Sequence, residues 1–303
     1  MIGFQFVDPA EAFEAYLSVQ HRLPPATGGG RALNASFADI VAPFDLILFD
    51  AYGVLNVGET AIPGAAETIA ALRQAGKSVA VVSNSAGYPK ARMMARYAAL
   101  GFDFAPSEVV TSRDALLLRV ESEPHSNWGV MLNPTADLGE ISNLNACILT
   151  DEPNDYDRVD GFLLVGSDGW TDARQTLLET ALIRSPRPVL VGNPDMVAPR
   201  ENGLSREPGW FAHKLADATG IEPVFFGKPF PDIFEMARAR FERPTPPERV
   251  LMVGDTLHTD ILGGHQAGFA TALVTGYGSL TNLDVINAIR RSAIVPDFIV
   301  DRI

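Results

Sequence analysis

From Phe44 onward the chain alternates short apolar runs with amphipathic stretches of helical length. The runs at 46–49, 78–82, 109–110, 224–226, 250–253 and 270–274 have the length and composition of buried strands. Helices are predicted between them at about 64–74, 89–100, 113–120, 231–241 and 259–267. Ala75-Gly76 ends the first helix, Gly101 stops the second, and Thr111-Ser112 can cap the third. Strands that alternate with helices in this way predict an α/β fold built on a parallel sheet.

A second block interrupts this rhythm. Residues 121–127 read as a linker, and 122–221 add strands at 128–132, 145–149, 161–165 and 188–191 with a helix near 171–184. The expected organisation is a Rossmann-like core from 44–121 and 222–303, with 122–221 inserted as an α/β cap domain. Residues 1–43 form an N-terminal extension expected to pack on the core. Asp8-Pro9-Ala10-Glu11 starts a helix there, with a cap and an acidic first turn. The run 24–30 breaks it. Its glycines lack a following Lys-Ser or Lys-Thr, so it reads as a loop rather than a phosphate cradle.

With 303 residues and 47% hydrophobic content, the chain can bury a large core. Its net charge of -13 repels nucleic acid and anionic membrane, so neither is expected as a partner. The same charge means that an anionic substrate needs a locally positive site, from a metal ion or a few Lys and Arg. Cys147 is the single cysteine, which excludes an intrachain disulfide. It lies in the apolar run 146–149 and reads as a small buried hydrophobe. There is no basic-then-apolar leader pattern, and no apolar run approaches the ~20 residues that span a bilayer. The expectation is a cytoplasmic protein.

Four reactive side chains follow predicted strands in order: Asp50 after 46–49, Ser83 after 78–82, Lys228 after 224–226 and Asp255 after 250–253. Ligands of open parallel sheets bind at such strand ends. These residue types suit phosphoryl transfer. Asp50 can attack phosphorus and form an aspartyl-phosphate. Asp50 and Asp255, with Asp260 in or beside the shell, can hold Mg²⁺, which prefers hard oxygen ligands. Lys228 can neutralise developing charge, and the Ser83 hydroxyl can bind phosphate oxygens.

This arrangement resembles the haloacid dehalogenase superfamily of hydrolases over residues 44 to about 280. Its four motifs look like Asp50-Ala51-Tyr52-Gly53-Val54, Ser83-Asn84, Lys228-Pro229, and Gly254-Asp255 through Thr259-Asp260. Ile62-Pro63-Gly64-Ala65, Asn193-Pro194-Asp195, Pro208-Gly209 and Gly263-Gly264 further resemble subclass IIA, whose cap lies between the second and third motifs. The resemblance implies a phosphatase of a small phosphorylated metabolite, a mobile cap, and Mg²⁺ held by Asp50, the backbone carbonyl of Tyr52 and Asp255. It implies that Gly53, Asn84, Asn193 and Asp195 lie near the substrate. Cap-to-cap homodimers are a further expectation.

Tyr52 departs from that pattern. The family's usual aspartate there protonates the leaving alkoxide and then deprotonates the hydrolytic water, help typically worth ~10²–10⁴ in rate. A phenol with a pKa near ~10 is a poor base at neutral pH. Three consequences stay open: slow turnover, a substrate whose leaving group needs little protonation, or a proton from another residue such as His258 or a cap side chain. Two rival readings remain beside the phosphatase. One is a metal- and phosphate-binding sensor. The other is a true haloacid dehalogenase, whose Asp-Ala-Tyr-Gly motif this resembles but which needs no metal carboxylates such as Asp255 and Asp260.

Overall fold

The computed structural model describes residues 3–26, 29–122, 126–133, 135–241 and 245–303; the middle of the 121–127 linker and of the 24–30 glycine run lies outside the described residues. One sheet has seven strands, all parallel. Their order is Leu33–Asn34, Phe298–Val300, Ala270–Val274, Val250–Gly254, Leu46–Phe49, Ser78–Ser83 and Val109–Thr111. The interior strand Leu46–Phe49 is wholly buried because both faces are covered. Ile47 and Phe49 face one cluster with Ile69 and Leu72 of the helix Ala65–Gln74. Leu46 and Leu48 face the other, with Ile233 and Phe234 of the helix Pro231–Ala239. Burying each such side chain contributes about 1.5–3 kcal/mol, so the strand that carries Asp50 is among the best anchored.

A second, five-stranded parallel sheet has the order Val224–Phe225, Val189–Val191, Gly161–Leu164, Trp128–Met131 and Ala146–Ile148. Here one expectation is corrected. The run 224–226 was expected to resume the first sheet; instead Val224–Phe225 pairs with Val189–Val191 at the edge of the second. An apolar run does not specify which sheet a strand joins, so periodicity could not distinguish the two. Trp128 and Trp170 are buried in this unit. The helix Asp172–Arg184 covers it and starts from Thr171, whose hydroxyl accepts from Arg174 N.

A third sheet is antiparallel. The hairpin Val197–Arg200 and Gly203–Arg206 takes Phe6–Val7 as its outer strand. These strands are short, and Pro and Arg break the alternation, so the pattern did not reveal them. The helix Pro9–Val19 begins as expected, with Asp8 accepting from Glu11 N at 2.8 Å. The helices Lys90–Ala99 and Ser112–Val120 also stand where predicted, the latter capped by Thr111. The helix expected at 259–267 starts instead as a wide π-turn, Leu257–Ile261, before the α-helical Leu262–Gln266. Such turns favour functional sites, and this one carries Asp260.

Candidate functional site

In the seven-stranded sheet, Leu46–Phe49 lies between Val250–Gly254 and Ser78–Ser83. This adjacency alone brings Asp50, Ser83 and Asp255 to one carboxyl edge. Lys228 reaches the same point from outside the sheet. Its Nζ lies 2.6 Å from Asp50 Oδ1 and 2.7 Å from Asp260 Oδ1 and is 1% exposed. Asp50, Asp255 and Asp260 each bring an oxygen into a cluster whose members lie within 4.8 Å of one another.

The supports of these groups are specific. Asn84 Oδ1 accepts from Lys228 N at 2.7 Å, while Asn84 Nδ2 donates to Lys228 O at 2.9 Å and to Asp195 Oδ1 at 2.8 Å. Asp255 accepts from Thr256 Oγ1 at 2.9 Å and from Ser279 N at 2.6 Å; Asp260 accepts from Thr256 N at 3.1 Å. Two loops approach Asp255 so closely that only glycine fits. Gly53, at φ +80°, would put a Cβ 2.7 Å from the Asp255 carboxyl carbon, and a Cβ on Gly278 would collide with Asp255 itself. Gly278→Ala should therefore cost about 1–3 kcal/mol and weaken divalent-cation binding. Thermal unfolding with and without Mg²⁺ checks this; an unchanged midpoint in both conditions would contradict it.

The electrostatics of the cluster suit a bound cation. Burial lifts the Asp50 carboxyl to about 6, against the pull of Lys228. Burial, together with Asp260 and Asp50, lifts Asp255 to about 8. Burial also opposes the charge on Lys228, but Asp260 and Asp50 more than offset it and hold the ammonium protonated. Three buried carboxyl groups thus crowd together, and one ammonium touches two of them. A hard divalent cation would relieve the deficit, and the all-oxygen donor set fits one.

Above this cluster lies a cavity of about 170 Å³. Asp50, Tyr52 and Ser83 line it from the seven-stranded sheet, and Asn193 and Asp195 line it from the opposite side. Burial holds the Asp195 carboxyl well above the usual range. Asn84 and Gly53, expected beside the substrate, are absent from the wall: Asn84 clamps the Lys228 peptide and Gly53 packs on Asp255. His258 is also elsewhere. It is 1% exposed and stacked on Tyr16 at 4.9 Å, and burial drives its imidazole down to about 3. It lies outside the cavity wall, so the proton source considered above is not placed there.

The sequence reading missed Arg200 and Glu207. Both line the cavity, and their side chains pair at 3.0 Å. Arg200 belongs to the unpredicted hairpin, and no motif marks either residue. Only the cationic residue inside an otherwise apolar 196–200 segment was a signal. Phe4 from the N-terminal extension also reaches the wall.

Comparison with known proteins adds context. A family model described as haloacid dehalogenase-like hydrolase matches residues 47–138, and a second, HAD-hydrolase-like, matches 225–303. The chain is 32% identical to chronophin of Rattus norvegicus over 282 residues, covering 90% of each chain. Among solved structures it is similar to a possible sugar phosphatase of the HAD superfamily from Cytophaga hutchinsonii, with TM-score 0.76 and 25% identity, over 89% of this chain and 98% of that one. It is also similar to a glycerol phosphate phosphatase from Mycobacterium tuberculosis in complex with magnesium, with TM-score 0.63 and 25% identity, over 86% of this chain and 76% of that one.

Proposed function

The chain belongs to the haloacid dehalogenase-like hydrolases and is a hydrolase of their phosphatase type, and from that premise we propose that it is a Mg²⁺-dependent phosphohydrolase of a small phosphorylated metabolite. The observation that carries this reading is the Lys228 ammonium set between Asp50 and Asp260 below the cavity floor, with Asp255 completing the carboxylate cluster. Asp50 is the nucleophile: it lines the cavity, and Lys228 balances its charge. Ser83 donates to the phosphoryl oxygens, and Lys228 offsets the charge that builds on them. Asp50, Asp255, Asp260 and the Tyr52 carbonyl would hold Mg²⁺. When bound, the ion would screen the anionic substrate from the carboxylates and polarise the phosphoryl group. Residues 122–221, with the strand Val224–Phe225 that joins their sheet, serve as the cap. Asn193 and Asp195 face the substrate, while Asn84 acts through Lys228.

The test is phosphate release from acetyl phosphate and p-nitrophenyl phosphate with Mg²⁺. Chelation of divalent cations should reduce turnover at least ~10²-fold, since a bound metal contributes several kcal/mol of charge stabilisation; added Mg²⁺ should restore it. Phosphate binding without turnover of either compound would favour the sensor reading. Turnover indifferent to chelation would remove the metal from the mechanism.

A further inference from the structure

If Asp50 takes the phosphoryl group, something must receive the oxygen that leaves. This question rests on the phosphohydrolase reading, and the hydrogen bonds around Tyr52 answer it. Tyr52 Oη accepts from Arg200 Nη1 at 3.3 Å. Arginine can only donate, so this bond leaves the phenol's own hydrogen unused. Among the described residues none accepts that hydrogen, and Tyr52 lines the same cavity as Asp50, two residues away.

The ring is held between two cations. The guanidinium carbons of Arg96 and Arg200 each lie 4.8 Å from its centroid. Arg96 is fixed by Glu59 at 2.9 Å and by the Gly58 carbonyl. Arg200 donates from Nε to Ser205 Oγ at 3.1 Å and from Nη2 to Glu207 Oε1 at 3.0 Å, and it lies over the Phe4 ring at 4.3 Å. Glu207 is itself held, accepting from Ser205 Oγ at 2.7 Å and Asn193 Nδ2 at 3.2 Å. Of the five N–H groups of Arg200, these contacts use three, and one on each Nη remains for the cavity that Arg200 lines.

We propose that Tyr52 and Arg200 form the leaving-group subsite, in which the phenolic O–H supplies the proton to the departing oxygen and Arg200 holds the resulting phenolate. In the first half-reaction an Asp50 oxygen forms a bond to phosphorus as the ester P–O bond breaks. The electron pair stays on the leaving oxygen, which takes the phenolic hydrogen and departs as a neutral alcohol. The phenolate then faces Arg200 with Arg96 against its ring. In the second half-reaction water attacks phosphorus and gives one proton back to the phenolate. The Asp50–phosphorus bond breaks, releasing inorganic phosphate and the free carboxylate. A resting phenol is a poor base, but here the base is a phenolate made in the preceding step. Burial raises the Tyr52 phenol above its ordinary value, while Arg200 and Arg96 pull it back down; a phenol is in general a stronger acid than an aliphatic alcohol, which favours the first transfer.

The experiment compares kcat/KM for β-glycerophosphate, an alkyl ester, with that for p-nitrophenyl phosphate, whose leaving group needs no proton. This parameter ends at leaving-group departure and so isolates the first transfer. Tyr52→Phe keeps the ring between its two guanidiniums and removes only the hydroxyl. The alkyl-to-aryl ratio is expected to fall about 10²-fold, and Arg200→Met should lower it in the same direction. A purely structural role for Tyr52 would lower both esters together; that result, or an unchanged ratio, overturns the proposal while leaving the phosphohydrolase reading intact. A wild-type protein that cleaves the aryl ester but never the alkyl one also overturns it. A wild-type protein that cleaves neither removes the phosphohydrolase reading and this inference with it.

Discussion

Asp50→Asn is expected to lower kcat at least about 10⁴-fold, the scale seen when a covalent nucleophile is removed. The amide has nearly the shape of the carboxylate but no nucleophilic oxygen able to form the acyl phosphate. The change should spare the fold, because it replaces one of three crowded buried carboxylates with a neutral group. Asp260 remains 2.7 Å from the Lys228 ammonium, so the lysine keeps a partner. Phosphate release and thermal unfolding, measured on the same preparation, separate the two effects. Turnover within tenfold of wild type would exclude Asp50 as nucleophile.

Lys228→Met should act on both stability and rate. The ammonium is 1% exposed and touches two carboxylates, so methionine fills the space but leaves buried like charges without their counter-ion. Removing one partner of a buried ion pair typically costs about 3–5 kcal/mol. For a chain of this size that corresponds to a fall in unfolding midpoint on the order of 6–10 °C. Mg²⁺ should recover part of it, because a dication beside Asp50 and Asp255 supplies the charge the lysine no longer gives. Hydrolysis should stay well below wild type even with saturating Mg²⁺. An unchanged midpoint in chelator would show that the carboxylates do not depend on Lys228 for their balance.

Much of this site was legible in the sequence because its residues follow strands. An apolar run that ends in Asp50 or Asp255 states the residue and its edge together, and parallel order brings the edges into register. The supports were less visible. Asn84 reads as a substrate contact when only its neighbour Ser83 is considered, yet its amide is spent on the Lys228 peptide, 144 residues away. Val224–Phe225 looked like a strand of the first sheet because an apolar run does not name its partner strand; at the edge of the second sheet Val224 is in fact exposed. Arg200 and Glu207 were invisible for a different reason. Their pairing depends on a short polar hairpin whose third strand, Phe6–Val7, comes from the far end of the chain. No local periodicity encodes that meeting.

The position of Val224–Phe225 has a mechanical consequence. Phe225 is hydrogen-bonded into the five-stranded sheet, and Lys228, three residues later, is gripped by Asn84 beside the seven-stranded one. An extended chain covers only about 3.3–3.6 Å per residue, so this strap has almost no slack. The five-stranded sheet cannot lift away at this end without drawing the ammonium off Asp50. Any opening that keeps the charge balance intact must therefore pivot here, with Gly227 at φ +120° as the fulcrum.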